Sequence, residues 1–216
     1  MNYWIFSLLF LQGLAAVVGW LFRPKFKNTI LGTFPFYLTF IFLGECVGFF
    51  TQKPEWKQLN ETLHEFFIIP IEFIYFFWLL SKATAGAKSK KILFPFILLY
   101  LVSLVIENLI KTQFIFLSIS YTLGNLLLLI LIIRYLFQLI SSDEILTYSS
   151  NPFFYISIGL LLFYLGTFPF YALKNYLWAY HKQIGLYYWY SMMVLNCMMY
   201  AMFTLSFIWR PRKSLS

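Results

Sequence analysis

Acidic residues are scarce in this sequence. Asp and Glu number 8 against 16 Lys and Arg among 216 residues, and charged side chains make up 11% of the chain while hydrophobic ones reach 61%. That is too little charge to cover a water-soluble globule, so the chain is read as an integral membrane protein. Long polar segments are missing too. Connections such as RPKFKN, TQKPEWKQLNE and SKATAGAKSKK are short, which leaves no room for an extramembrane catalytic module. The 2 cysteines, Cys46 and Cys197, both fall inside apolar runs. Without metal-type spacing or a disulfide framework they are packing residues. The basic excess, net +8, is scattered through the short connections and forms no patch interleaved with aromatics. Nucleic acid is therefore not an expected partner.

The motifs of several membrane chemistries are absent as well. The last apolar run, Leu186 to Trp209, contains no lysine for a retinal Schiff base. There is no HxxxH, HExxH or GxSxG and no glycine-rich phosphate loop. Asn196 to Tyr200, NCMMY, has the spacing of a receptor NPxxY motif but lacks its proline. His64 is read as an interfacial residue with a weaker alternative as a metal ligand, and His181 belongs to a loop. No enzyme activity and no cofactor is expected from these residues.

What the sequence has in abundance is apolar length. A hydrocarbon layer of about 30 Å takes about 20 apolar residues per helix, and lipid cannot satisfy exposed backbone groups, so uninterrupted runs predict helices. The runs are Tyr3 to Phe22, Ile30 to Phe50, Thr62 to Leu80, Ile92 to Ile110, Phe114 to Ile140, Pro152 to Leu173 and Leu186 to Trp209. They predict one all-α domain over residues 1–216 with seven transmembrane helices. The start, Met1-Asn2-Tyr3-Trp4, has no basic stretch of the signal-peptide kind, so the first helix is expected to remain. Lys53, Lys57, Lys111, Lys174 and Lys182 fall on the side of the N-terminus. Arg23, Lys25, Lys27, Lys82, Lys88, Lys90, Lys91, Arg210, Arg212 and Lys213 fall on the other, with Arg134 snorkelling towards them. This bias predicts the N-terminus outside and the C-terminus in the cytoplasm. Tyr3, Trp4, Trp20, Trp56, Trp178 and Trp209 sit at run ends, as an interfacial belt would.

One heptapeptide occurs twice: Leu31 to Tyr37 and Leu165 to Tyr171 both read LGTFPFY. Internal duplication is one reading. Against it, the copies fall at opposite depths and their flanks differ, LTFIF after the first and ALKNY after the second. The local reading is that Gly32 and Gly166 admit a neighbouring helix while Pro35 and Pro169 free a carbonyl one turn earlier.

The polar residues inside the runs are the candidate site. At 1.5 Å per residue, Glu72 lies about 15 Å into its helix, and Gln12, Asn125 and Asn196 lie about 14 to 17 Å from the same face. Glu45, His64, Glu65, Glu107 and Asn108 are shallower. Glu65 and Glu72 are spaced to share one face of the third helix and line an outward cleft, with Pro70 between them leaving the Phe66 carbonyl without its donor. An ionised acid at mid-bilayer costs at least about 2.5 to 3.5 kcal/mol, so Glu72 must be neutral, paired or wet. Two roles stay open for it: hydrogen-bonded helix glue with Asn125 or Asn196, or ligand, ion or proton handling.

FLGECVGFF around Glu45, PIEFIYF around Glu72 and NPFFYISIGLLLFYLG from Asn151 to Gly166 come in an order that resembles an uncharacterised group of short bacterial seven-helix membrane proteins. That group is itself similar to stand-alone versions of the membrane input regions of sensor kinases. The resemblance implies a multi-pass protein of the plasma (inner) membrane acting through a membrane or cytoplasmic signalling partner. The expected function is a non-enzymatic sensor or ligand-binding accessory protein with an acidic cleft. A small transporter or channel with its site around Glu72 is the alternative.

Overall fold

The computed structural model describes residues 2–51, 54–85, 89–110 and 118–208. Lys53, Lys88, Lys111, Trp209, Arg210, Arg212, Lys213 and the predicted helix start at Phe114 lie outside the described residues. Seven helical stretches are long and apolar enough to cross a membrane, so the chain has the all-α architecture of a multi-pass membrane protein.

The first stretch is α1, Asn2–Phe26, whose last turn carries Arg23 and Lys25, where positive charge suits the carbonyl end of a helix. A 3₁₀ turn, Ile30–Thr33, leads into α2, Phe34–Phe50. The third stretch is composite. It consists of α3, Lys57–Leu63, a π-helical turn, His64–Ile68, and α4, Ile69–Ala85. Then follow α5, Ser89–Ile110, α6, Ser118–Ile140, α7, Pro152–Tyr180, and α8, Lys182–Ile208. Helix α7 starts where a helix should, with Asn151 accepting from the Phe153 N–H at 3.0 Å and Pro152 in the first turn, where its missing N–H costs nothing. It runs on to Tyr180 rather than ending at Leu173, because Lys174 and Asn175 keep helical geometry despite their polarity. His181 alone separates it from α8.

The two LGTFPFY copies fold differently. The first spans the 3₁₀ turn and the opening of α2, and the second lies in the interior of α7. Pro35 therefore occupies a first turn and frees no carbonyl of its own helix, whereas Pro169 does sit mid-helix. Both glycines are close-approach positions, since a Cβ on Gly32 would stand 2.8 Å from the Phe26 carbonyl oxygen and one on Gly166 2.5 Å from a Leu195 methyl.

In space α2 packs on α1, α1 on α8, α8 on α7, α7 on α6, and α6 on α4 and α5. Helix α5 is the peripheral member, with Tyr100 buried and Ile92, Leu93, Phe96, Ile97 and Leu104 half-buried against the core. Below, the face where α1 begins is the first face and that where it ends is the second face. Lipid offers helices no hydrophobic drive to associate, so contact must come from packing and hydrogen bonds. Here aromatic rings supply much of it. Towards the second face, Tyr37 and Tyr75 stack at 4.3 Å, and Phe34, Phe76 and Phe203, all fully buried, interlock at 5.1 to 6.0 Å.

Helices α7 and α8 meet closely because Gly159 leaves room: a Cβ there would lie 3.0 Å from that of Met202 and 3.2 Å from the Met199 carbonyl oxygen. Backbone cannot swing aside as a side chain can. Gly159→Val is expected to cost about 1 to 3 kcal/mol by overpacking, read as a lower thermal unfolding midpoint in detergent.

Candidate functional site

The sequence of the third stretch explains its break. Pro70 has no N–H to close a turn, and the helix accommodates it by widening just before it, with the Ile69 N–H reaching back to the His64 carbonyl. A π turn carries one extra residue and rotates what precedes it by about 100°. Glu65 is thereby turned off the face of Glu72, and His64 takes its place. This corrects the expected common face of Glu65 and Glu72, which assumed an unbroken α-helix. Glu65 instead comes within electrostatic reach of Lys174 on α7, as does Glu61. The Lys174 ammonium also lies 5.5 Å from the Tyr171 ring centre.

The π turn can sit close to α2 because of a second sequence feature. Gly44 and Gly48 form a GxxxG pair flanking Glu45. A Cβ on Gly44 would stand 2.8 Å from the Ile68 side chain, and one on Gly48 2.8 Å from His64 Nε2. Asn60 ties the two stretches together by donating to the Gly48 carbonyl at 3.3 Å. His64 is thus laid over α2 within electrostatic reach of Glu45.

Between these helices lies a cavity of about 120 Å³. Its walls are Gln12 of α1, Ile41 and Glu45 of α2, His64, Ile68, Ile69 and Glu72 of the third stretch, Tyr121 of α6, Phe163 and Tyr171 of α7, and Asn196, Met199 and Tyr200 of α8. The room suffices for several waters or a small molecule. Glu72 accepts a 2.8 Å hydrogen bond from the Tyr164 hydroxyl. The buried Tyr37 hydroxyl lies close to the same carboxyl. Two polar atoms of the wall have no partner: Gln12 Oε1, on a residue only 1% exposed, and Asn196 Oδ1. Buried acceptors are ordinarily satisfied, and each one left empty costs about 1 to 3 kcal/mol.

No family model, curated protein or solved structure matches this chain. The site therefore rests on its own geometry.

Of the residues the sequence singled out, the cavity gathers Gln12, Glu45, Glu72 and Asn196, and with them His64. Asn125 stands one step behind the wall, donating from Nδ2 to the Tyr164 carbonyl at 3.0 Å. Glu107, Asn108 and Glu65 are not part of the lining. Glu107 caps α6 instead, accepting from the Ile119 and Ser120 N–H groups at 2.9 and 2.6 Å and from the Ser120 hydroxyl at 2.6 Å. Its charge answers the unsatisfied donors of a helix start. Asn108 is exposed. Among the described residues no group of three His, Cys, Asp or Glu is placed to hold a metal. The tyrosines Tyr121, Tyr164, Tyr171 and Tyr200 were not foreseen. Their signal was present, since tyrosines away from run ends do not belong to an interfacial belt.

Three substitutions separate stabilising from site residues. Glu107→Ala is expected to cost about 1 to 3 kcal/mol through lost charge-assisted bonds to the start of α6, read by thermal unfolding. Tyr164→Phe should destabilise by a similar amount while Glu72→Gln, which keeps an acceptor for that hydroxyl, changes unfolding far less.

Proposed function

We propose that this protein is a membrane-embedded ligand-binding sensor that takes a small polar molecule into the Glu72 cavity and acts through a partner. The carrying observation is a cavity of about 120 Å³ between the helices that gathers Glu45, His64 and Glu72 with the amides of Gln12 and Asn196. An ionisable group at this depth is costly and marks a functional site by default. A cavity of a few waters' volume bearing convergent polar groups is the usual form of a small-molecule site.

Binding is favoured over passage by what lies below. Between Glu72 and the second face the stacked Tyr37 and Tyr75 and the interlocked Phe34, Phe76 and Phe203 fill the interior with ring faces, the polar groups among these being the hydroxyls of Tyr37 and Tyr75, the latter paired with Thr33 at 3.1 Å. A transporter or channel needs a polar path on both sides of its site. The excess of Lys and Arg beside the second face supports placing that face in the cytoplasm, so the cavity serves the outside of the plasma membrane. The chain's resemblance to the input regions of sensor kinases fits a cytoplasmic or membrane partner as the receiver.

The test is a thermal-shift screen of the detergent-purified protein against cationic, neutral and anionic small solutes, followed by flux assays in proteoliposomes. One class should stabilise the folded protein, by about 2.7 kcal/mol at a hundredfold excess over Kd, and raise the unfolding midpoint accordingly. Glu72→Gln should abolish that rise, and the same solute should not cross the membrane. Failure of every class to bind would overturn the reading, and Glu72-dependent flux would replace it with transport.

A further inference from the structure

We infer that the ligand of this cavity is a small organic ammonium, a protonated amine with a short hydrocarbon part. The inference rests on the binding reading above and names its ligand class. The acids of the lining argue for the sign. The carboxyls of Glu45 and Glu72 share the cavity, and the amides of Gln12 and Asn196, whose oxygens are buried without a donor, stand beside them. An ammonium has three N–H donors and no acceptor, which complements such a wall.

The rest of the lining argues for an organic cation rather than a bare metal ion. Hard cations collect six or more oxygens, whereas here Ile41, Ile68, Phe163 and Met199 interrupt the polar groups. They suit an alkyl chain. Aromatic faces also attract a positive charge, and the stacked pair Tyr121 and Tyr171, 3.9 Å between centres, borders the space. Lys174 lies 5.5 Å from the Tyr171 ring centre and within electrostatic reach of Glu65 and Glu61. It is not in the lining. His64 is the basic side chain of the lining, and it is laid over Gly48 beside Glu45. Glu72 has no basic side chain in its hydrogen bonds.

The probes are ethylammonium and butylammonium chloride, with ethanol and butan-1-ol as uncharged counterparts and sodium and potassium chloride at matched ionic strength. Calorimetric titration and thermal unfolding of the wild-type protein should show saturable binding of the ammonium salts and none of the alcohols. Gln12→Leu and Glu72→Gln should each weaken butylammonium binding by about tenfold or more, the loss of one charge-assisted hydrogen bond. Should either variant fail to fold, the comparison of ammonium with alcohol on the wild-type protein still decides. Equal binding of the alcohols, or saturable binding of sodium or potassium instead, overturns the ammonium assignment. Glu72-dependent binding of a neutral or anionic solute overturns it too while leaving the binding reading intact, and binding of no solute at all removes both.

Discussion

A carboxyl group in the middle of a lipid layer must find its hydrogen bonds within the protein, and the assembly of this bundle follows from how Glu72 does so. Its acceptor is met by Tyr164 of α7, so α7 has to lie against the third stretch. The same residue is held a second time, through its carbonyl, by Asn125 of α6. One tyrosine thus joins three helices by bonds that lipid cannot replace. Helix α8 completes the arrangement because Gly159 and Gly166 let it press onto α7, which brings Asn196, Met199 and Tyr200 to the cavity. Loss of the Tyr164 hydroxyl would leave a buried acid unpaired, a larger penalty than the bond is worth on its own.

The interior is divided by chemistry along the membrane normal. Towards the second face it is filled with aromatic rings in stacked and edge contacts, each pair adding about 0.5 to 1.5 kcal/mol beyond the area it buries. Such contacts do the work that the hydrophobic effect does in water. At the level of Glu72 and towards the first face the packing gives way to carboxyls, amides and hydroxyls around the cavity. A rigid floor under a polar chamber suits holding a molecule better than passing one.

The seven stretches were legible in the sequence because lipid imposes one simple rule, an apolar run of sufficient length, and few alternatives satisfy it. The polar layer was legible for the same reason: Gln12, Glu72 and Asn196 stand out where nothing polar is tolerated without cause. What was not legible was rotation. A seven-residue spacing puts Glu65 above Glu72 only if the helix is regular, and Pro70 makes it irregular by one residue. The effect of that proline fell upstream, on His64–Ile68, and exchanged Glu65 for His64 at the cavity. The GxxxG pair at Gly44 and Gly48 was readable and marks the place where α2 receives the π turn. Glu107 misled because an acid near a helix end can serve the next helix, and the start of α6 was not evident from hydropathy.

The π turn also bears on how an occupied cavity differs from an empty one. Wide turns hold their hydrogen bonds in poorer geometry than α turns, and they recur at functional positions in helices. This one lies beside the chamber, anchored on one side by Asn60 and Gly48 and on the other by Glu72 through Tyr164. A ligand that donates to Glu72 competes with the Tyr164 hydroxyl for the same carboxyl oxygens. Whatever weakens that bond loosens α7 from the third stretch, and α7 shares with α8 a single connecting residue, His181. A ligand shifts an equilibrium only by its differential affinity for two arrangements, and under the binding reading competition for the Glu72–Tyr164 bond is a contact that would supply such a difference.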